Sequence, residues 1–211
     1  MTTSNYRIEK DSMGELQVPT NALYAAQTQR AVDNFPVSGI PLPAAFIRAV
    51  ALVKQSAAKV NMALELLDES LGVAIVESAQ EIIDGAYLEQ FPIDVFQTGS
   101  GTSTNMNANE VIATLASRRC GQPVSANDHV NMSQSSNDTI PTAIHVSTAL
   151  AANEDLIPSL EHLQATIAYK ARALEDVIYD RIADQPALRN VSLMCSAVND
   201  IDASALESLE A

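Results

Sequence analysis

The segment FIRAVALVKQSAAKVNMALELL, residues 46–67, gives the first evidence of the fold. Its apolar side chains recur at alternating steps of four and three residues, at Phe46, Val50, Val53, Ala57, Val60, Leu64 and Leu67. This spacing predicts one amphipathic helix of about six turns. A stripe so long and narrow is typical of a helix in a bundle rather than of a helix that covers a sheet.

Shorter elements are predicted before this helix. Residues 6–19 alternate around the turn Met13-Gly14-Glu15, which indicates a hairpin or an extended arm. Residues 23–34 have a short helical pattern that ends before Phe35-Pro36. The N-terminal part of the chain is therefore expected to combine a small β-like arm with helices.

Further helices are predicted after the central segment. Asp68 is placed to cap the next helix. Helical spacing returns over residues 106–119 and again from Ile140, where Pro158 marks either a kink or the first turn of a new helix. The predicted fold class is mainly α, with a short β-like arm and the start of a long central helical bundle.

The composition excludes several classes of protein. The 211 residues hold 12 Lys and Arg against 26 Asp and Glu, a net charge of −14, so no basic surface for nucleic acid or for an anionic membrane is expected. No apolar run approaches the roughly 20 residues needed to span a bilayer, and no secretory signal is seen. Cys120 and Cys195 have no metal-type spacing with the histidines, so no metal is expected. We expect a cytoplasmic protein.

The first polar segment is GSGTSTNMNANE, residues 99–110. Gly99 and Gly101 flank Ser100, so the backbone can turn sharply and approach a ligand closely. The segment leads into a helix, whose free N–H groups and positive dipole end favour a carboxylate or a phosphate. It is not a Walker loop, because no GK[ST] follows the glycines. A glycine-containing loop with a Ser or Thr cap is the plainer interpretation.

The second polar segment is NDHVNMSQSSND, residues 127–138, and it also enters a helix. Ten of its twelve residues are polar and none is Lys or Arg, so burial of this segment requires that its polar groups bond each other or a ligand. A solvated loop with a capping residue is the alternative. Together the two segments predict a polar pocket at the ends of bundle helices.

These residues resemble a known family. The stretches GSGTSTNMNANEVIA at 99–113 and NDHVNMSQSSNDTIPTAIHV at 127–146 are similar to the fumarase/aspartase superfamily, most closely to class II fumarate hydratases. The run RIEKDSMGELQVPTNALYAAQTQRAVDNFP at 7–36 looks like the start of the same enzymes. The resemblance covers residues 5 to about 178. Aspartate ammonia-lyases are the close alternative, because only a few motif residues separate the two enzymes.

The resemblance implies reversible hydration of fumarate to (S)-malate in the tricarboxylic acid cycle, without metal or organic cofactor. It assigns substrate binding to Ser100, Gly101, Thr102, Ser135, Ser136 and Asn137. The family also has a second anion site, typically His-Pro-Asn-Asp. Here Ser125, Ala126, Asn127 and Asp128 stand in its place, so the imidazole is missing and weak anion binding is expected. His129 is expected to be exposed or to cap a turn.

The resemblance also sets expectations for the rest of the chain. The family's proton-transfer motifs, a Gly-Arg-Thr-His segment and a mobile Gly-Ser-Ser loop, do not occur in the sequence. Residues 175–211 instead hold eight acidic residues against two arginines. We expect a lyase N-terminal domain at 1–137, the first part of the central helical bundle at 138–178, and an acidic tail outside the family at 179–211. A change of reading frame near codon 178 and a truncated gene are both consistent with this pattern.

Three functional interpretations remain open. The first is a truncated fumarate hydratase, inactive because the proton-transfer groups are missing. The second is a non-catalytic module that assembles with a full-length paralogue, since the family is homotetrameric and exposed apolar stripes are expected at 46–67 and 156–178. The third is a protein that binds a dicarboxylate through the two polar segments.

Overall fold

The computed structural model describes residues 5–185 and residue 187. Over these residues, a two-stranded antiparallel hairpin precedes six α-helices. The bounds of these elements are β1 Tyr6–Asp11, β2 Gly14–Pro19, α1 Ala26–Asn34, α2 Ala44–Ala63, α3 Glu69–Ile83, α4 Thr102–Cys120, α5 Ser136–Ala151 and α6 Ile157–Asp184. The predicted fold class, mainly α with a short β arm, is confirmed.

Two arginines hold the hairpin to the rest of the chain, namely Arg7 of β1 and Arg30 of α1, which forms an ion pair with Asp11. Its strands pair in register up to Asp11 opposite Gly14, and Gly14 has a φ of 121°, in the region that favours glycine. The guanidinium of Arg7 donates to the carbonyl oxygens of Ala22 at 2.8 Å and Tyr24 at 2.7 Å. These bonds fix the connection between the hairpin and α1.

The buried face of α2 differs from the predicted stripe. Val60 and Leu64 are 54% and 62% exposed, and the helix ends at Ala63. The buried side of the helix consists mainly of other residues: Ile47, Ala49, Val50, Ala51, Lys54, Gln55, Ala58 and Asn61. Since α2 packs against both α3 and α5, its buried face is wider than one stripe and includes polar residues. A pattern of apolar residues does not reveal such a face.

The apolar core lies between α2, α3 and α4. Its most deeply buried large side chains, all at most 1% exposed, are Val50, Ile75, Ile82, Val111 and Ile112. Burial of each such side chain stabilises the fold by roughly 1.5–3 kcal/mol. The core therefore forms a rigid base for the segments that precede α4 and α5.

Two carboxylates cap helices, the exposed Asp68 and the buried Glu110. Asp68 accepts hydrogen bonds from the backbone N–H groups of Ser70 and Leu71, which confirms the predicted cap of α3. Glu110, on α4, accepts from the N–H of Ala25 at 2.9 Å and of Thr28 at 3.1 Å. Its negative charge lies at the positive end of α1, where it stabilises that helix.

The described chain forms two compact units. The first ends at Pro158 and the second begins at Ser159. Pro158 is the second residue of α6, which confirms the predicted first-turn position. In the second unit α6 carries apolar side chains that are 40–60% exposed, namely Leu160, Leu163, Ile167 and Leu174. The predicted domain boundary at residue 137 stays a prediction. Cys195 and all but a few residues of the predicted tail lie outside the described residues.

Candidate functional site

The first polar segment forms a tight turn before α4. Residues Gly99–Gly101 make one 3₁₀ turn, in which Ser100 has a φ of 62° and Gly101 a φ of 63°. A Cβ atom on Gly101 would lie 3.1 Å from Cγ2 of Ile140 on α5. Glycine is therefore required at 101 for its backbone conformation and for its close approach to α5.

Two side chains, one before α4 and one at its start, anchor the first turn of this helix. Gln97 accepts a hydrogen bond from the backbone N–H of Thr104 at 2.9 Å. The Thr102 hydroxyl donates to the carbonyl oxygen of Gly99 at 3.3 Å. Gly101 occupies the N-cap position and offers no side-chain cap, so the N-terminal end of α4 keeps its positive partial charge. Ser100 is exposed beside this helix end.

A buried carboxylate fixes the loop that leads to this turn. Asp94 accepts hydrogen bonds from the N–H groups of Ser38, Gly39 and Phe96, at 2.7–2.8 Å. Burial alone would raise the pKa of Asp94, but these hydrogen bonds outweigh it and lower the pKa to about 2. Asp94 is thus ionised throughout the neutral range and ties the 94–98 loop to the segment before α2.

The second polar segment caps α5. The hydroxyl of Ser135, the N-cap residue, accepts a hydrogen bond from the N–H of Asn137 at 3.2 Å. The Ser136 hydroxyl accepts from the side-chain amide of Asn105 on α4 at 3.0 Å. Asn137 is exposed at this helix end. The segment therefore presents small neutral donors at the start of a second helix.

The structure brings the starts of α4 and α5 together. The Asn105–Ser136 hydrogen bond and the contact between Gly101 and Ile140 both join these two helix ends. Ser100 and Gly101 line a cleft of about 780 Å³, whose other walls are largely apolar. Thr102, Ser135, Ser136 and Asn137 are not part of that lining. The predicted site residues therefore approach each other at the helix ends but do not share one cavity wall.

A buried amide network connects the two helix ends, and sequence reasoning missed it. Its centre is Asn131, whose side-chain oxygen accepts from Lys54 Nζ at 3.0 Å and from the amides of Asn105 and Asn109 at 3.2 Å each. Lys54 Nζ also donates to Gln134 Oε1 at 2.8 Å. The sequence did contain one indication of this network. Lys54 and Asn61 follow Val50 and Ala58 at helical spacing, so they lie on the same side of α2 as these apolar residues.

Lys54 is buried without an acidic partner. Its side chain is 0% exposed, and within residues 5–185 no carboxylate forms an ion pair with it. Burial lowers its pKa from 10.5 to about 7. A neutral amine has two N–H donors, which match the two amide oxygens of Asn131 and Gln134.

Residues of the expected second anion site form hydrogen bonds with each other. The Ser125 hydroxyl donates to the Asp128 carboxylate at 2.8 Å and accepts from the Asp128 N–H at 3.0 Å. The N–H of Ser125 donates to Nδ1 of His129 at 3.0 Å, which confirms that this histidine caps a turn. Ala126 and Asn127 belong to a short π-helical turn, Ala126–Val130, which follows Ser125.

The described residues hold neither a membrane-spanning helix nor a cluster of metal-ligating side chains. No described helix is long and apolar enough to cross a membrane. Nowhere in the described part of the chain do three His, Cys, Asp or Glu side chains come together as a set of metal ligands. The polar groups near the two helix ends are mainly hydroxyls and amides, and the first turn of α5 also carries one acidic residue, Asp138.

Comparison with known proteins identifies the family. A protein-family model described as Lyase matches residues 14–180. The chain belongs to this lyase family. The match ends close to residue 178, where the resemblance to class II fumarate hydratases was expected to end, and that resemblance is confirmed.

Named relatives of this lyase chain are fumarate hydratases. The chain is 59% identical over 165 residues to fumarate hydratase class II 2 of Pseudomonas aeruginosa, covering 78% of this chain and 36% of the relative. It is 53% identical over 176 residues to fumarate hydratase class II of Xylella fastidiosa, covering 83% of this chain and 37% of the relative.

A solved structure also resembles this lyase chain. The recombinant class II fumarase of Schistosoma mansoni matches it with a TM-score of 0.76 and 38% identity, covering 80% of this chain and 37% of that one. The chain therefore spans little more than a third of the length of the relatives it matches.

Proposed function

We propose that this chain carries the carboxylate-binding part of a fumarate hydratase, the enzyme that adds water reversibly to fumarate to give (S)-malate. The observation that carries the proposal is the convergence of the starts of α4 and α5, joined by the hydrogen bond between Asn105 and Ser136. Two helix N-termini and several neutral hydroxyl and amide groups suit the two carboxylates of such a ligand. The same proposal places the protein in the cytoplasm.

The proposed roles follow from the chemistry of the reaction. Removal of a proton beside a carboxylate builds an aci-carboxylate dianion, so donors must be aimed at that charge before it develops. Ser100 and Thr102 would donate to one carboxylate at the start of α4, with Gly101 allowing close approach. Ser135, Ser136 and Asn137 would donate to the other at the start of α5. The net charge of −14 does not prevent this, because fixed local dipoles outweigh a screened global charge over a few ångströms.

We infer that the 211 residues bind a dicarboxylate without converting it. The hydroxyls and amides of the proposed site are poor general bases near neutral pH, and general acid–base groups typically contribute roughly 10²–10⁴-fold each. The absorbance of fumarate near 240 nm gives the direct assay. We expect no change in absorbance above the buffer rate, and measurable turnover by the purified chain would contradict this inference.

Binding is tested by calorimetric titration of the full chain. Fumarate and (S)-malate are expected to bind, whereas maleate, with its carboxylates cis, is expected to bind more weakly. Titration with L-aspartate tests the alternative, a relationship to the aspartate ammonia-lyases. Binding of fumarate is expected to weaken in Ser136→Ala but not in Ser147→Ala, a serine about three turns further along α5. Absence of heat with millimolar fumarate would refute the proposal.

A second candidate function, assembly with a longer relative, is supported by exposed apolar side chains. Val60, Leu64 and Leu66 are more than half exposed around the end of α2. Such groups of apolar residues mark protein interaction surfaces. Co-expression with a full-length fumarate hydratase, followed by size-exclusion chromatography with light scattering, tests this function. A mixed oligomer supports it, and separate elution of the two proteins contradicts it.

The second anion site is proposed to be at most a weak one. The Ser125 hydroxyl and the Asp128 carboxylate already bond each other, and a carboxylate repels an anion. Phosphate or a second equivalent of (S)-malate is expected to leave the amide resonances of residues 125–128 unchanged at millimolar concentration. A saturable shift of those resonances would overturn this expectation.

A further inference from the structure

The position of Lys54 needs an explanation beyond packing. A fully buried lysine is rare, and the loss of hydration of its amino group is costly. Its long aliphatic part fills a place in the core that methionine would fill without that cost. The amino group must therefore contribute something that a hydrocarbon side chain cannot.

The two partners of Lys54 both belong to the loop before α5. Asn131 and Gln134 flank Ser133, which has a φ of 62°, a conformation that is unfavourable for serine. Gln134 in turn donates to the carbonyl oxygens of Val130 at 2.8 Å and Met132 at 3.2 Å. Lys54 thus holds the two side chains that keep this loop in its strained form.

The loop sets where α5 begins. Gln134 immediately precedes Ser135, the N-cap residue of α5. The hydrogen bond from Lys54 to Gln134 is thus one route from Lys54 to the start of α5. A second route of hydrogen bonds runs from Lys54 through Asn131 to Asn105, whose amide donates to the Ser136 hydroxyl. Both routes start at one buried amino group and end on residues of the proposed carboxylate-binding segment.

We propose that Lys54 is a positioning residue for the carboxylate-binding segment Ser135, Ser136 and Asn137. Its amino group orients Asn131 and Gln134, and these two side chains hold the start of α5 in the geometry that receives a carboxylate. Lys54 itself does not touch the ligand in this arrangement. This inference rests on the proposed function of that segment as a dicarboxylate site.

The test compares Lys54→Met with Lys59→Met in the full chain. Lys59 lies on the same helix but is exposed, and it donates to Gln55 at 2.9 Å. Lys54→Met is expected to keep a cooperative unfolding transition. It is expected to weaken fumarate binding about tenfold or more, because one donor group of the binding segment loses its orientation. Lys59→Met is expected to leave binding unchanged. Fumarate binding by Lys54→Met equal to that of the unaltered chain would overturn the proposal.

Two-dimensional NMR separates this inference from the proposed function. The backbone amide resonances of residues 135–137 are expected to shift in Lys54→Met without ligand, whereas those of residues 99–101 stay in place. If the unaltered chain binds no dicarboxylate, the proposed function fails, but these ligand-free shifts still test the positioning role. Unchanged resonances at 135–137 would overturn it.

A second variant serves if Lys54→Met does not fold. Gln134→Met removes one acceptor of Lys54 from a partly exposed loop position and leaves the Lys54–Asn131 hydrogen bond in place. We expect the same displaced resonances at residues 135–137 and a smaller loss of fumarate affinity. Native resonances and native affinity in Gln134→Met would contradict the positioning role.

Discussion

The two polar segments before α4 and α5 are held in place by different physical means. The turn at residues 99–101 depends on backbone conformation and on the fit of Gly101 against Ile140. The loop at residues 131–134 depends on side chains, because the buried Lys54 and the amides of α4 bond to Asn131. The first segment should therefore be sensitive to added atoms and the second to lost hydrogen bonds.

The largest effect is expected where the side-chain network has its centre. Asn131→Leu removes the oxygen that accepts from Lys54, Asn105 and Asn109, and so leaves a buried cation or amine and two amides with fewer partners. We expect the free energy of unfolding to fall by about 3–5 kcal/mol. Urea denaturation followed by circular dichroism measures this loss.

The matched control for this substitution is Asn127→Leu, at an exposed position of the turn before the same loop. It should change the free energy of unfolding by less than about 0.5 kcal/mol. Equal effects of the two substitutions would show that the buried network contributes little to stability.

A smaller effect is expected from an added methyl group in the first segment. Gly101→Ala must adopt a φ of 63° and places Cβ 3.1 Å from Ile140, so a loss of about 2 kcal/mol is expected. Gly99→Ala is the control, because nothing lies within 4 Å of its Cβ position and its φ is not positive. Thermal denaturation of the two variants checks the difference, and a Gly99→Ala effect as large as that of Gly101→Ala would refute it.

The network should also make stability depend on pH. Because burial lowers the pKa of Lys54 from 10.5 to about 7, the unfolded chain binds more protons than the folded chain between these two values. The contribution of Lys54 to stability therefore rises with pH across that window, by up to about 1.4 kcal/mol per pH unit.

The measurement is urea denaturation of the unaltered chain and of Lys54→Met at several pH values from 7 to 10. The free energy of unfolding of the unaltered chain should rise with pH relative to that of Lys54→Met. A constant difference would show that the Lys54 pKa is the same in the folded and unfolded chains.

The smallest effect is expected at the cap of α5. Ser135→Ala removes the oxygen that accepts from the Asn137 N–H and should lower the free energy of unfolding by about 1 kcal/mol. Ser135→Asp keeps a capping oxygen and should restore stability, but its negative charge should repel a dicarboxylate. Denaturation and fumarate titration of both variants separate capping from binding. Tight fumarate binding by Ser135→Asp would exclude Ser135 from the proposed site.

Local patterns predicted several elements correctly. The hairpin at residues 6–19, the Asp68 cap and the first-turn position of Pro158 each depend on neighbouring residues, so a short window contains the needed information. The start of α4 at Thr102 was missed by four residues. Its first turns bury Thr104 and Asn105, and an apolar periodicity cannot detect a helix whose buried side is polar.

The candidate site was predicted unevenly for the same reason. The hydroxyl-rich stretches around Ser100 and Ser136 are visible as unusual composition, and their resemblance to a lyase family is visible in the same letters. Lys54 was missed because a lysine in an apolar helix normally faces solvent. The packing of α2 against the other helices and against the loop at residues 131–134 makes its position an internal one.

By itself the sequence determined the mainly helical class, the local caps and turns, and the membership of a lyase family, because these depend on residues close together in the chain or on long motifs. The tertiary structure decided which face of α2 is buried, how the starts of α4 and α5 meet, and that Lys54, Asn105 and Asn131 form one network. These features depend on contacts between residues far apart in the chain, such as the hydrogen bond from Lys54 to Asn131, 77 positions later. Hydrogen bonds across such separations leave no period in the sequence, and so they emerge only when the helices pack.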